Sequence, residues 1–125
     1  MVDLIHKEES YIIVGCCYDV FNALGPGLRE KNYQKALEER FKESSIKYES
    51  QVYVPIKINE KVVGKYYIDL FVYGKIPIEI KVGRHFYKKD IDQLYSYLRS
   101  TNLQLGLLIN FTTDGVQSKR ILNIE

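Results

Sequence analysis

The sequence predicts an α/β fold in which helices flank a mixed central β-sheet. Three observations predict it. Apolar residues recur at helical spacing from about Glu8 to Ser44. The period changes to two between Tyr48 and Val82, as strands require. One more helical segment then precedes Leu105 to Phe111, a nearly continuous apolar run that fits a strand buried on both faces.

The first helix runs from about Glu8 to Leu24, with Ile13, Cys16 or Cys17, Val20, Ala23 and Leu24 on its apolar stripe. Gly25-Pro26-Gly27 stops it. A second helix follows from about Glu30 to Ser44, its stripe marked by Tyr33, Ala36, Leu37, Arg40 and Phe41. Tyr48 to Ile58 alternates as a strand, and Pro55 assigns part of it to an edge or a bulge. After a turn at Asn59-Glu60-Lys61 come strands from Val62 to Val72 and from Ile76 to Val82, joined at Gly74. Tyr87 to Arg99 returns to helical spacing through Tyr87, Ile91, Leu94, Tyr95 and Leu98. The tail from Val116 to Leu122 reads as a possible short helix carrying Lys119 and Arg120. The expected order is α-α-β-β-β-α-β, with or without this terminal helix.

A chain of 125 residues suits one domain, residues 1–125, rather than two. Its 46% hydrophobic and 27% charged residues are enough to bury a core, so disorder is not the expectation. A net charge of +2 and a pI near 8.4 do not by themselves point to nucleic acid, since basic nucleic-acid-binding domains often exceed a pI of about 9. No apolar run approaches the roughly 20 residues that span a bilayer. The N-terminus, MVDLIHKEESY, is charged and lacks a signal-peptide apolar region. Cys16 and Cys17 are adjacent, a strained geometry for a disulfide, and no Cys/His zinc spacing exists. Two reduced core thiols in a cytoplasmic protein without membrane contact are expected.

The chemistry concentrates in Tyr66 to Val82, YYIDLFVYGKIPIEIKV. In a hairpin symmetric about Gly74, Ile68 faces Ile80, Leu70 faces Ile78 and Val72 faces Ile76, giving one continuous aliphatic face. The other face then pairs Asp69 with Glu79 and Tyr67 with Lys81. Two carboxylates directly opposite repel each other. A divalent cation removes that repulsion, because Mg²⁺ is held by one or two carboxylates together with waters and phosphate oxygens. Phosphodiester hydrolysis needs an acidified water and a neutralised phosphoryl group. Asp69 and Glu79 as metal ligands and Lys81 as the adjacent positive charge meet that need. The structural alternative is an ion pair between Lys81 and one carboxylate on a solvated face.

Further polar groups have two readings each. Gln93 and Tyr97 are four apart on the third helix, off the apolar stripe, and form either a ridge facing the site or an exposed helix face. Glu30 is either a favourable acid at a helix N-terminus or a further carboxylate aimed at the metal. Arg84, Lys88 and Lys89, beside His85, form a basic cluster for phosphates or a solvated loop. Other chemistries find no support. His6 and His85 are remote in sequence, no nucleophile elbow exists, and no glycine-rich phosphate loop is present.

At these residues the chain resembles a known family. GLREKNY, Gly27 to Tyr33, is similar to the G-x-x-E-x-x-Y motif of the GxxExxY proteins, within the PD-(D/E)XK nuclease superfamily. YIDLFV matches the strand carrying the family aspartate, IPIEIKV the E-x-K strand, DQLYSYL the Q-x-x-x-Y helix and LGLLINF the closing strand. The resemblance implies a restriction-endonuclease-like fold with Asp69 and Glu79 as metal ligands and Lys81 as the catalytic lysine. It also implies Glu30 as an accessory acid and Gln93 and Tyr97 as the supporting helix motif. Ile68 stands where the superfamily has a proline before the aspartate. The leading expectation is a Mg²⁺- or Mn²⁺-dependent nuclease acting on DNA, with RNA open. A non-catalytic nucleic-acid- or protein-binding module that keeps the fold is the alternative. Cutting two strands suits two-fold symmetry, so a homodimer is expected.

Overall fold

The structure, a computed structural model, describes residues 5–124. The elements are α1 (Lys7–Leu24), α2 (Glu30–Glu43), β1 (Tyr48–Ile58), β2 (Lys61–Val72), β3 (Ile76–Val82), α3 (Lys88–Thr101), β4 (Leu105–Phe111) and β5 (Val116–Leu122). The strands form one mixed sheet in the order β1-β2-β3-β4-β5, with β3 and β4 parallel and the other neighbours antiparallel. A parallel pair needs a crossover, and α3 supplies it.

The sheet has a core on each face. On one side α1 and α2 bring Ile13, Cys16, Cys17, Val20, Tyr33, Leu37 and Phe41 against Leu70, Val72, Ile76, Ile78, Ile80, Leu107 and Ile109. On the other, α3 packs Leu94, Tyr97 and Leu98 onto Val54, Ile68, Leu108 and Ile121. Burial on both sides explains why β3 and β4 read as apolar runs. Every residue of β4, including Asn110, is buried.

Four expectations need correction. The tail is a strand, not a helix: β5 pairs with β4 from Val116 against Phe111 to Leu122 against Leu105. Asp114-Gly115 supplies the reversal, with Gly115 at φ 152° and Thr112 Oγ1 accepting from the amides of Asp114 and Gly115. On α1, Cys16 and Cys17 are both buried, whereas Ala23 and Leu24 are exposed. On α3, Tyr97 belongs to the buried stripe and Tyr95 does not.

The fourth correction concerns the aliphatic face of the hairpin. The β2–β3 ladder has the expected symmetry at Leu70–Ile78, Phe71–Pro77 and Val72–Ile76, and it ends there. Ile68 lies in the α3-side core and Ile80 in the α1/α2-side core, so the two do not face each other. The cause is a twist between Ser50 and Val52, where Gln51 takes a left-handed conformation (φ 51°) and pairing with Asp69 is skipped. Even-numbered residues of β1 and β2 thereby change sides across this point: Tyr48, Leu70 and Val72 pack toward α1 and α2, while Val52, Val54, Tyr66 and Ile68 pack toward α3.

Candidate active site

The twist opens a gap where β2 and β3 part, and Asp69 fills it. Its Oδ2 accepts a hydrogen bond from the Ile80 amide at 2.8 Å, so a side chain replaces the missing backbone partner. Its backbone carbonyl accepts from Gln34 Nε2 at 3.1 Å, and its Oδ1 lies 3.4 Å from Gln51 Nε2. Gln51 Nε2 also donates to Gln34 Oε1 at 3.1 Å. A groove of about 590 Å³, lined by Glu30, Gln34, Glu38, Gln51 and Asp69 among others, opens on this side.

Glu79 is one register step beyond the last β2–β3 pair and is only 8% exposed. Its carboxyl pKa is pushed up to about 9, first by burial, then by the charge of Asp69 and a hydrogen bond with it; Lys81 pulls it down. The two carboxyl groups thus act on one another, although Asp69 and Glu79 are not a ladder pair. Glu79 Oε1 is buried and has no hydrogen-bond partner. Tyr66 and Tyr97 pack in the same core, and the Tyr66 phenol is raised by burial and then by the Glu79 charge.

Lys81 and Glu30 complete the surroundings. Lys81 Nζ lies 3.6 Å from Asp90 Oδ1 on α3. The lysine thus has an ion-pair partner other than the two carboxylates anticipated for it. Glu30 Oε2 accepts from the Val82 amide at 3.3 Å, which brings the start of α2 to the end of β3. Tyr33 secures that start. Its hydroxyl donates to the Gly25 carbonyl at 2.7 Å and accepts from the Leu28 amide at 3.3 Å. Its ring stacks on Phe111, centroids 4.1 Å apart and planes 2° from parallel. Gly27, at φ 94°, makes the intervening turn. The glycine, glutamate and tyrosine of Gly27 to Tyr33 thus supply the turn, the carboxylate and the anchor.

A divalent ion fits this donor set in one respect: the orphaned Glu79 Oε1 beside Asp69 is an acceptor without a donor, and a cation satisfies it. Among the described residues no three His, Cys, Asp or Glu side chains cluster as a metal cage.

The model of the PD-(D/E)XK nuclease superfamily matches residues 7–121. The chain belongs to this superfamily. A search of curated proteins finds no match. Among solved structures, the crystal structure of SSO0001 is similar, with a TM-score of 0.59 and 25% identity over 77% of this chain. The match covers 51% of SSO0001, so this chain spans about half the length of that protein. The three helices and five-stranded mixed sheet are consistent with a restriction-endonuclease-like fold.

In this PD-(D/E)XK member the remaining expected site residues differ in exposure. Gln93 is exposed on α3, whereas Tyr97 is buried in the core that also takes up Tyr66. The reason is helical phase: Ile91, Leu94, Tyr97 and Leu98 make the buried stripe, which turns Gln93 outward. Arg84, Lys88 and Lys89 are exposed. Lys88 is paired with Asp92 at 2.7 Å, while Arg84 lines a groove of about 560 Å³ with Gly27, Thr112 and Gln117. Sequence reasoning missed Gln34, Gln51 and Asp90. Asp90 carries a weak signal, an acid in the first turn of a helix that follows the E-x-K strand. Gln34 and Gln51 carry none, because only the twist at Gln51 brings them to Asp69.

Proposed function

We propose that this chain is a divalent-metal-dependent nuclease that hydrolyses phosphodiester bonds in DNA, using Mg²⁺ or Mn²⁺. The observation that carries the proposal is the buried, unpartnered Glu79 Oε1 beside the Asp69 carboxylate. Asp69 and Glu79 would hold the ion, which supplies an acidified water and neutralises phosphoryl charge. Lys81, tethered by Asp90, holds a positive charge beside the carboxylates, where negative charge develops on the phosphate. Glu30 fixes the end of β3 and offers a further acceptor at the cleft rim. Gln34 and Gln51 orient Asp69. Tyr97 supports the Glu79 side of the sheet, and Gln93 offers an amide at the surface. Arg84, Lys88 and Lys89 are assigned to phosphate contacts outside the cleft.

Membership of the GxxExxY proteins is part of the same proposal, supported by the way Gly27, Glu30 and Tyr33 act together at the start of α2. So are a single domain over residues 1–125, a homodimer and a cytoplasmic setting. The two buried, unbridged thiols are compatible with that setting. No helix among the described residues is long and apolar enough to cross a membrane.

The deciding experiment titrates Mg²⁺ and Mn²⁺ into cleavage reactions on single-stranded, duplex and branched DNA, and on RNA, with Glu79→Ala as control. Metal-dependent cutting by the wild type, abolished in Glu79→Ala, is expected. Metal-independent cutting, or equal cutting by the control, overturns the proposed site. Binding without cleavage at every metal concentration favours a non-catalytic module.

A further inference from the structure

Beyond Asp69, β1 and β2 pair only with each other, out to a tight turn at Asn59 (φ 48°) and Glu60 (φ 66°). One face of this arm is occupied near its base, where Val52, Val54, Tyr66 and Ile68 pack against α3. The opposite face is open. Its cross-strand pairs are Tyr53 with Tyr67 and Pro55 with Lys65, and the register shifts beyond them, between Ile56 and Lys57. At the inner end the same row reaches Gln51, whose amide lies 3.4 Å from Asp69 Oδ1. The row therefore leads from the tip of the arm to the proposed cleavage carboxylate.

Its chemistry is specific. Tyr53 is 51% and Tyr67 42% exposed, and their rings meet edge to face at 5.9 Å. Lys65 Nζ lies 5.9 Å from the Tyr67 ring. From Pro55 to Lys65 the charges are Lys57, Lys61 and Lys65 against Glu60, a net +2, which equals the formal charge of the whole chain. Positive charge next to exposed ring faces is what an unpaired nucleic-acid strand requires: cations meet its phosphates, and rings stack its bases. The bases of a duplex are already stacked on one another and leave such rings without that partner.

We propose that the Tyr53, Tyr67, Lys65 face of the β1–β2 arm is a track that binds single-stranded DNA and leads it to Asp69. This rests on the nuclease reading above, and binding is measured separately from cleavage so that the two stand or fall apart. The measurement is fluorescence anisotropy of a short fluorescein-labelled DNA strand of mixed sequence in EDTA, beside the same sequence as a duplex. Tyr53→Ala and Tyr67→Ala are each expected to weaken strand binding about 5- to 100-fold, and Tyr→Phe at either position to preserve it, since stacking needs the ring and not the hydroxyl. Lys65→Ala should lower the slope of log affinity against log salt by about 0.7. In the wild type, a strand carrying iodouracil should crosslink to Tyr53 or Tyr67. Alanine variants that melt like the wild type and bind the strand equally well overturn the track, and leave the nuclease reading intact if metal-dependent cutting persists. An absence of crosslinks on β1 and β2 overturns it as well. So do alanine variants that convert a dimer to a monomer with unchanged strand affinity, because the face is then an interface between copies. A wild type that neither binds nor cuts the strand removes both proposals.

Discussion

The Asp69 carboxylate accepts the Ile80 amide proton at 2.8 Å, at the point where β2 and β3 have ceased to pair. A proposed metal ligand thus also terminates a backbone ladder. Asp69→Asn retains an acceptor for Ile80 and is expected to leave the melting temperature nearly unchanged while removing metal-dependent cleavage. Asp69→Ala leaves the amide unsatisfied and should destabilise by about 1–3 kcal/mol. Denaturant melts of both variants beside a cleavage assay separate the two roles; equal stabilities would show that the hydrogen bond carries little weight.

The role proposed for Lys81 predicts a contribution to activity and little to folding. Its partner Asp90 is across a partly exposed ion pair at 3.6 Å, and such pairs contribute little. Lys81→Ala should shift stability by less than about 1 kcal/mol, and lower the cleavage rate by about 10²-fold or more. Asp90→Asn should give a smaller loss of rate, since it frees the lysine without removing it. A Lys81→Ala protein that cuts at the wild-type rate would refute the assignment, whereas one that unfolds would point to a structural ion pair.

The raised Glu79 carboxyl predicts a loss of stability in alkali when no metal is present. Burial and the neighbouring Asp69 raise its carboxyl from the ordinary 4.5 to about 9. The folded state therefore binds a proton more tightly than the unfolded state does. The associated stability is complete below about pH 4.5 and is lost progressively as pH rises toward about 9. Thermal melts in EDTA should fall across that window, and the slope should flatten in Glu79→Gln. Mn²⁺ should recover stability in the wild type at the alkaline end and not in the glutamine variant. A wild-type melting temperature that stays level from about pH 5 to about pH 9 contradicts the burial of this carboxyl.

Gly106 lies under Leu94, and a Cβ there would sit 3.0 Å from Leu94 Cγ. Gly106→Ala is expected to push α3 off β4 and destabilise by about 1–3 kcal/mol. Because α3 also carries Asp90 and Tyr97, cleavage should decline with it. Shortening the opposing side chain with Leu94→Ala in the same protein should restore part of the rate, measured against each single variant.

Much of this was legible in the sequence, and the rest was hidden for identifiable reasons. Seven of the eight elements follow from the hydrophobic pattern: buried residues recur at one spacing on the helices, as Tyr33, Leu37 and Phe41 do on α2, and β4 stands out as a nearly continuous apolar run. β5 was obscured because Gln117, Ser118 and Lys119 form an exposed stretch between Val116 and Ile121, which breaks the alternation of a half-buried strand. Its readable signal was the Asp114-Gly115 turn pair. The nearness of Asp69 and Glu79 in the hairpin was legible from the spacing about Gly74, whereas the end of the ladder at Leu70–Ile78 was not. The opposite packing of Ile68 and Ile80 was not, because it depends on a left-handed Gln51 on another strand. The unequal burial of Gln93 and Tyr97 was hidden too, because Tyr97 reads as polar at the surface, yet its ring fills the α3 core.

Two amides on β3 take their acceptors from carboxylates rather than from a neighbouring strand, Ile80 from Asp69 and Val82 from Glu30. This gives β3 a built-in spectroscopic label. An ion bound at the proposed site would redistribute charge on the acceptor of Ile80 first, and a substrate at the cleft rim would perturb that of Val82. The amide resonances of these two residues, followed by nuclear magnetic resonance with isotope-labelled protein, would then report occupancy of the metal site and of the rim independently, before any bond is cut.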